Sequence, residues 1–143
     1  MTTRTKAFVG KVFLYVGDGA SPESFVKYCE IDSMAGIGVK NDTVDATTFC
    51  SGGVKEYIPG LGDGLEITFG ANYSLDDPTQ DQLMDDVDNK ATRNFEIQAG
   101  DSSPGDKLFK FALAMLSWEF GPSVASKNTV KFIGKITGPI VRT

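Results

Sequence analysis

Apolar and polar residues alternate with a period of two through most of the chain, and this pattern restricts it to β-rich folds. The clearest run covers residues 65–73, where Ile67 and Phe69 share one face and Glu66 takes the other. In a strand, such alternation places one face against a core and the other in solvent. The same period predicts strands over residues 12–16, 25–31, 93–99, 107–120 and 129–137, the last ended by Gly138 and Pro139.

Residues 107–120 differ from the other predicted strands because both of their faces are largely apolar. Phe111 and Leu113 belong to one stripe, and Leu108 and Leu116 belong to the other. Two apolar faces are typical of a strand at the centre of a sheet that is covered on both sides. The run Ala-Leu-Ala-Met-Leu would also suit a helix, but the Phe-rich alternation before it and the Gly-Pro pair after it favour a strand.

One segment has the periodicity of a helix. Asp77 can cap a helix, and Pro78 suits the first helical position. The sequence therefore predicts a helix over about residues 77–90, with an apolar stripe toward the core and a solvated acidic face. The stripe consists of Leu83, Met84, Val87 and Ala91, and the acidic face consists of Asp81, Asp85, Asp86 and Asp88.

The predicted elements come in the order strands, one helix, then further strands. This order is typical of a mainly β (α+β) domain, here a β-sandwich or barrel with one flanking α-helix. The chain has 143 residues, a length that suits one domain over residues 1–143.

Residues 40–62 interrupt this pattern with a segment that is too apolar for an ordinary surface loop. Gly52 and Gly53 can turn a hairpin within it. Long loops of compact domains are usually functional or disordered, and an arm that buries its apolar side chains on another subunit would explain both the length and the composition. The residues predicted to form this inter-subunit arm are Val44, Asp45, Thr47, Phe49, Tyr57, Ile58 and Pro59.

Charge and composition exclude several classes of function. The formal net charge of −5 and the pI of about 4.7 do not predict a basic nucleic-acid footprint. Histidine is absent, which removes Ser/His/Asp and Cys/His catalysis and the commonest ligand of transition metals. Since no apolar run approaches the length of a membrane-spanning helix, no membrane segment is predicted. Residues 1–11 lack the apolar core of a secretory signal.

No motif predicts catalysis, a cofactor or a metal, so we do not expect an enzyme. The glycine-rich residues 60–64 lack the Gly-Lys-Ser/Thr ending of a phosphate loop and precede a strand. The acidic residues between positions 76 and 88 lack the spacing of a calcium-binding EF-hand. Cys29 and Cys50 are too few for a disulfide framework and are predicted to be reduced, with Cys29 acting as a small buried apolar residue.

Basic residues are concentrated after Glu119, in a stretch that contains no acid. Lys127, Lys131 and Lys135 belong to it, and the last two share one face of the final predicted strand. They form either a solvated strand face that protects an edge or a set of charges that pairs with acids of a neighbouring subunit. We treat these three lysines as candidate inter-subunit charges.

Three short motifs carry a family resemblance. Residues 45–47 read Asp-Ala-Thr, residues 58–63 read Ile-Pro-Gly-Leu-Gly-Asp, and residues 66–68 read Glu-Ile-Thr at the start of an alternating strand. With the helix and the aromatic-rich strand that follow, this arrangement resembles the tail tube (major tail) proteins of long-tailed bacteriophages.

The resemblance implies a β-sandwich flanked by a helix, and hexameric rings that stack into a hollow tube through which phage DNA passes without specific binding. It implies that residues 40–62 form the inter-subunit arm, and that the protein is made in the bacterial host cytoplasm and located in the virion tail. The implied partners are further copies of the chain and tail assembly proteins, namely a tape measure, a terminator and a baseplate or tip. Some members carry an additional C-terminal immunoglobulin-like domain, which we do not expect in a chain that ends at Thr143.

A conduit for DNA should not hold the DNA that passes through it. Lysines that neutralise phosphates would retain DNA through counterion release, whereas carboxylates repel it. Glu66 and Glu96, on polar faces of predicted strands, are the candidate lumen-facing acids. The alternative functions are the inner tube of a contractile tail or type VI secretion-like system, and a ligand-binding β-barrel in which Trp118 lines a pocket.

Overall fold

A computed structural model of the chain describes residues 10, 12–100 and 107–143, so the expectation about residues 1–11 lies outside the described residues apart from Gly10. The described part folds into strands with one α-helix between the sixth and seventh of them. The elements are β1 (Val12–Gly17), β2 (Phe25–Lys27), β3 (Ile31–Ala35), β4 (Val39–Asp45), β5 (Tyr57–Gly64), β6 (Glu66–Asn72), α1 (Pro78–Asp88), β7 (Thr92–Ala99), β8 (Lys107–Gly121) and β9 (Thr129–Arg142).

Two sheets contain all of these strands. The larger has seven antiparallel strands in the order β2-β1-β7-β8-β9-β6-β3, and the smaller is the two-stranded ribbon β4-β5. The mainly β prediction with one helix is confirmed, and both sheets are open instead of closed into a barrel.

The seven-stranded sheet curls strongly around its own core. Phe69 on β6 and Phe95 on β7 are three strand spacings apart in the sheet, which would separate them by about 14 Å if the sheet were flat. Their ring centroids are only 6.1 Å apart. The sheet therefore folds back on itself, and its inner face supplies both walls of the core.

Aromatic rings fill this interior. Phe132 is fully buried and stacks on Phe69 with ring centroids 5.3 Å apart, and Phe111 stacks on Phe95 at 6.0 Å. Each buried side chain of this size stabilises the fold by about 1.5–3 kcal/mol relative to exposure. The buried side chains of the described residues thus pack against one another in a single core.

Strand β8 is central in the sheet order, as predicted, and the helix alternative for this segment was wrong. Its inner stripe, which includes Phe111 and Leu113, is buried. The expectation of cover on both sides was wrong, because Leu116 on the outer side is 52% exposed. Ala112 and Ala114 also lie on the outer side of β8. Because their side chains are small, they expose little apolar surface there, although no further layer of the described residues covers them.

The single strand predicted over residues 25–31 is divided between the two edges of the large sheet. β2 pairs with β1 at one edge, and β3 pairs with β6 at the other. Between them, Tyr28 turns inward and is 3% exposed, and its N–H donates to the carbonyl of Leu14 at 2.9 Å. Cys29 faces outward in the same crossing, so the prediction of a buried cysteine was wrong.

The last strand continues past the point where it was predicted to end. Thr137 pairs with Ala112 and Val141 pairs with Lys110, so three residues of β9 face a single residue of β8. Gly138, with φ of 78°, and Pro139 form the resulting bulge instead of terminating the strand.

Helix α1 begins as predicted, with the Thr79 N–H donating to the Asp77 carboxylate at 3.0 Å. Leu83 is fully buried and packs into the core from the inner side of the sheet. The prediction that Asp86 belongs to the solvated face was wrong, because this side chain is buried against Arg93. Gln80 is also buried, and its amide makes two hydrogen bonds to the backbone of Ser74.

Candidate assembly surface

The segment predicted as an arm, residues 40–62, forms most of the β4-β5 ribbon, which we call the hairpin (residues 39–64). Its base is fixed to the large sheet: the Leu65 N–H donates to the Gly38 carbonyl at 3.0 Å, and the Ile136 N–H donates to the Leu65 carbonyl at 3.1 Å. A Cβ atom at Gly64 would overlap the carbonyl of Ile136, so glycine permits the close approach of ribbon and sheet.

The hairpin contributes no side chain to the buried core of the described residues. Strand pairing along the ribbon sets Val44 opposite Ile58 and Asp45 opposite Tyr57. Both apolar members, like Tyr57, are about half exposed. All the residues predicted for the arm lie in the hairpin and are exposed: Val44, Asp45, Thr47, Phe49, Tyr57, Ile58 and Pro59.

We define the hairpin tip as residues 46–56, which include a 3-10 turn at Phe49–Ser51. Thr48 caps this turn, accepting a hydrogen bond from Cys50 N–H at 3.3 Å, while its own N–H donates to the Ser51 hydroxyl at 2.9 Å. The turn closes through Gly52 and Gly53, which have φ of 69° and 82° and lie where the sequence predicted the turn.

Hydrogen bonds join the two sides of the tip. The Glu56 N–H donates to the Thr47 hydroxyl at 2.9 Å, and the Ser51 hydroxyl donates to the Glu56 carboxylate at 3.0 Å. This network leaves the ring of Phe49 entirely exposed, at 109% of its reference area. The tip thus presents an aromatic side chain from a hydrogen-bonded frame.

The carboxylate of Asp45 belongs to the same frame. It accepts a hydrogen bond from the Thr47 N–H at 2.9 Å. Hydrogen bonds from the side chain and the backbone of Thr47 favour the ionised carboxylate, and they lower the pKa of Asp45 below its ordinary value. Asp45 is therefore charged at neutral pH and serves as a hydrogen-bond acceptor at the start of the tip.

A groove of about 700 Å³ lies where the hairpin joins the large sheet. Its walls come from the hairpin base at Val39, from Leu116 on the outer side of β8, and from the β9 bulge at Pro139 and Ile140. Val39 and Leu116 are each 52% exposed, so this groove is an apolar depression open to solvent. At its rim, the Lys135 ammonium donates to the Asp63 carboxylate at 3.2 Å.

The outer face of the large sheet, opposite the core, carries charges in cross-strand pairs. Strand register places Glu66 opposite Lys135 and Glu96 opposite Lys110. It also places Lys131 opposite Glu119, so Lys131 and Lys135 share one face as the alternation predicted. The two candidate lumen acids thus lie on the same face of the sheet, each beside a lysine.

Two of the three candidate inter-subunit lysines, Lys127 and Lys135, donate hydrogen bonds to carboxylates of their own chain. Lys127 donates to the Asp32 carboxylate at 3.0 Å within the same chain, and Lys135 is bonded to Asp63. The side chains of both pairs are well exposed, so these contacts are exchangeable with a charge on another molecule.

The pattern of alternating residues did not predict the buried ion pair between α1 and β7. The Arg93 guanidinium donates from Nε to Asp86 Oδ2 at 2.7 Å and from Nη2 to Asp86 Oδ1 at 2.6 Å. Its Nη1 also reaches the Gly17 carbonyl at 3.3 Å, which links the helix, β7 and β1. The only sequence signal was an arginine on the apolar face of a predicted strand.

Within the described residues, no group of three or more Cys, Asp or Glu side chains has the geometry to hold a metal ion. None of the helices in the described part is long and apolar enough to cross a membrane. Cys29 and Cys50 are both exposed free thiols.

A family model described as phage tail tube protein matches residues 9–142, nearly the whole chain. The chain belongs to the phage tail tube protein family. No curated protein sequence matches it. The resemblance noted in the three motifs is therefore confirmed at the level of the family.

Solved structures share the fold of this tail tube protein. One is the tail of an empty gene transfer agent particle with C6 symmetry, with a TM-score of 0.71 and 16% identity over 91% of this chain and 95% of that one. The tail tube of phage SPP1 has a TM-score of 0.69 and 12% identity over 92% of this chain and 76% of that one. A terminator of the sheath and tube of the extracellular contractile injection system PVC has a TM-score of 0.74 and 11% identity over 99% of each chain. These TM-scores establish a common fold.

Proposed function

We propose that this tail tube protein is a structural subunit whose copies form hexameric rings, and that the rings stack into a hollow tube through which phage DNA passes. The observation that carries the proposal is the hairpin: an ordered ribbon that leaves Val44, Phe49, Tyr57 and Ile58 in solvent. Exposed apolar surface of this kind is typical of a surface that another protein molecule covers.

A tube requires two kinds of contact between identical subunits. Lateral contacts must close after a fixed rotation to give a ring, and axial contacts must repeat without closing. Burial of the four apolar hairpin side chains would contribute about 1.5–3 kcal/mol each before ordering costs. Hydrogen bonds within the tip would lower those ordering costs, because they favour the same tip conformation before and after binding.

The outer face of the large sheet is our candidate for the lining of the lumen. Lysines on it, such as Lys110 and Lys135, lie opposite Glu96 and Glu66. A lysine beside a carboxylate releases fewer counterions on meeting a phosphate than an isolated lysine does, so this face would hold passing DNA weakly. Glu66 and Glu96 act in this proposal by neutralising neighbouring lysines as well as by repelling phosphates.

The same proposal places the protein in the virion tail, with a tape measure, a terminator and a baseplate or tip as its assembly partners, and with no enzymatic activity. Support comes from family membership and from structural neighbours that include a terminator of a sheath and tube. Synthesis in the host cytoplasm belongs to this proposal as well.

The test is to purify the protein and observe it by negative-stain electron microscopy over a range of concentrations. We expect rings or tubes with a central channel. A protein that stays monomeric at every concentration, even with its tail assembly partners present, would contradict the proposal.

A substitution in the hairpin makes this test specific. Phe49→Asp puts a charge on a side chain that contacts nothing in its own chain, so the variant should fold normally and fail to polymerise. Circular dichroism and thermal denaturation measure the fold, and microscopy measures assembly. Val124→Asp is the matched control, because Val124 is equally exposed but lies outside the hairpin. Loss of the fold in Phe49→Asp, or equal loss of assembly in both variants, would count against the hairpin as the assembly element.

A further inference from the structure

We propose that two glycines at the hairpin base, Gly36 and Gly64, fix the direction in which the hairpin leaves the large sheet, and that copies join only when the hairpin keeps this direction. The inference rests on the proposed self-assembly and adds which residues position the assembly element. Neither glycine has a side chain that could contact another copy, so both act as positioning residues.

The hairpin is joined to the large sheet at one narrow junction. β3 leads into β4 through residues 36–38, and β5 leads into β6 through Leu65. The hairpin contributes no side chain to the core of the described residues. The ion pair of Lys135 with Asp63 beside the junction is well exposed, so it contributes little free energy. The packing of backbone against backbone at the junction therefore sets the direction of the hairpin.

One glycine lies on each side of this junction. Gly36 follows β3, and a Cβ there would overlap the carbonyl of Glu66 on β6. Gly64 ends β5, and a Cβ there would overlap the carbonyl of Ile136 on β9 and lie 2.7 Å from the Cβ of that residue. Since carbon atoms pack at about 3.5–4.0 Å, a methyl group at either position would push its side of the hairpin away from the sheet by about 1 Å.

A small shift at the junction becomes a large one at the tip. The two strands of a ribbon lie about 4.8 Å apart, and the seven residues of β4 span about 20 Å. A retreat of about 1 Å by one strand therefore tilts the ribbon enough to move the tip by about 4 Å. Phe49 would move with the tip, whose two sides are joined by hydrogen bonds. Interfaces between subunits pack as densely as protein interiors, so a displacement of this size breaks their contacts.

The core would stay in place when the hairpin tilts. β9 is paired with β8 on one side and with β6 on the other, so it is held within the large sheet. The hairpin has a free end and is held only at its base. Strain at the junction is thus relieved by movement of the hairpin and not of the sheet.

Spin-label distances measure the direction of the hairpin in single copies, below the concentration at which copies assemble. In a Cys29→Ser background, the native Cys50 carries one label at the tip. The second label is placed on the exposed side of β8 with Lys110→Cys, or on the exposed side of α1 with Asp85→Cys. These two positions lie on different elements, so a tilt of the hairpin changes at least one of the two distances.

The test variants are Gly64→Ala and Gly36→Ala, and each has a matched control. Gly62→Ala adds the same methyl group two residues earlier on β5, where the nearest atom is the flexible end of the Asn41 side chain at 3.0 Å. Gly138→Ala imposes backbone strain like that of Gly36→Ala, because both glycines have positive φ, 78° and 97°, but nothing lies within 4 Å of a Cβ at Gly138. Assembly is measured by negative-stain microscopy on the same four variants without labels.

We expect each test variant to shift at least one label distance by about 4 Å. Each should form no rings or tubes at concentrations where its control assembles, while circular dichroism shows a folded monomer. If one test variant fails to fold, the other decides the outcome.

Unchanged distances in the test variants would overturn the inference, and so would shifted distances with normal assembly or equal shifts in the controls. Loss of the monomer fold in both test variants would also overturn it, because the glycines would then serve the core. Failure of the unsubstituted protein to assemble would overturn the proposed function, and the label distances would still decide whether the glycines fix the direction of the hairpin.

Discussion

Arg93 is the residue on which the attachment of the helix to the sheet depends most directly. Its guanidinium binds both oxygens of Asp86, and the two side chains are only 12% and 4% exposed. The hydrogen bond to Asp86 raises the pKa of Arg93. Removing one member of a buried pair leaves an uncompensated charge in the interior.

We therefore expect Arg93→Met to reduce the free energy of unfolding by about 3–5 kcal/mol, measured by urea denaturation. The comparison is Lys127→Met, which breaks the exposed pair with Asp32 and should change stability by less than about 1 kcal/mol. A combined Asp86→Leu and Arg93→Met variant should recover much of the loss, because no unpaired charge remains. Equal effects of the two single substitutions would contradict a special role for the buried pair.

A second residue-scale prediction concerns the frame of the hairpin tip. Thr47→Val removes the hydroxyl that helps to lower the pKa of Asp45, so NMR titration should show that pKa moving up toward its ordinary value. The sign follows from linkage: a lowered pKa in the folded state stabilises the tip at neutral pH, and this contribution is lost as the pH falls through the pKa. An unchanged Asp45 pKa in the variant would show that the Thr47 hydroxyl does not lower it, since valine keeps the backbone N–H at this position.

At the scale of elements, local periodicity accounts for much of the fold. The alternation of apolar residues predicted β6, β7 and β8 closely, and the capping residue Asp77 with Pro78 predicted the start of α1. The alternation over residues 25–31 does not show that β2 and β3 pair with different strands at opposite edges of the sheet. No local sequence feature marks Tyr28 as the point where the chain crosses between those edges. The partnership of Asp86 with Arg93 was missed for the same reason, because it joins two elements that only the fold brings together.

The central position of β8 gives a prediction at this scale. Leu113 is 1% exposed and packs over Gly134 of β9, where a Cβ would lie 2.6 Å from its Cγ. Leu113→Ala should cost about 2–5 kcal/mol in unfolding free energy, since the site is enclosed and collapses poorly. Leu116→Ala, on the outer side of the same strand, should cost much less. A loss below about 0.5 kcal/mol for Leu113→Ala would refute its central burial.

At the scale of the whole molecule, the hairpin is the feature through which single chains would become an assembly. The composition of residues 40–62 predicted a segment outside the core, and the structure places it there as a ribbon. The groove was not predictable, because it combines the hairpin base, the outer side of β8 and the β9 bulge, which are distant in sequence. The role of the hairpin in contacts between copies stays a prediction.

Limited proteolysis measures this role in solution. Lys55 lies exposed at the tip, so trypsin should cut after it in the monomer and be excluded from it in assembled protein. Lys90, exposed between α1 and β7, is the comparison and should be cut at similar rates in both states. Mass spectrometry of the fragments identifies the sites. Cleavage after Lys55 that is as fast in tubes as in monomers would place the tip outside every interface.

The separation of the hairpin from the core has a consequence for how such a chain can evolve. The residues that keep the domain folded and the residues exposed on the ribbon are different sets in the described part of the chain. If the hairpin makes the contacts between copies as proposed, a change at position 49 or 54 would alter partner choice without a matching loss of thermodynamic stability. Lineages could then diverge in which copies they accept while they retain a common scaffold, and two tubes built in the same cell could stay distinct.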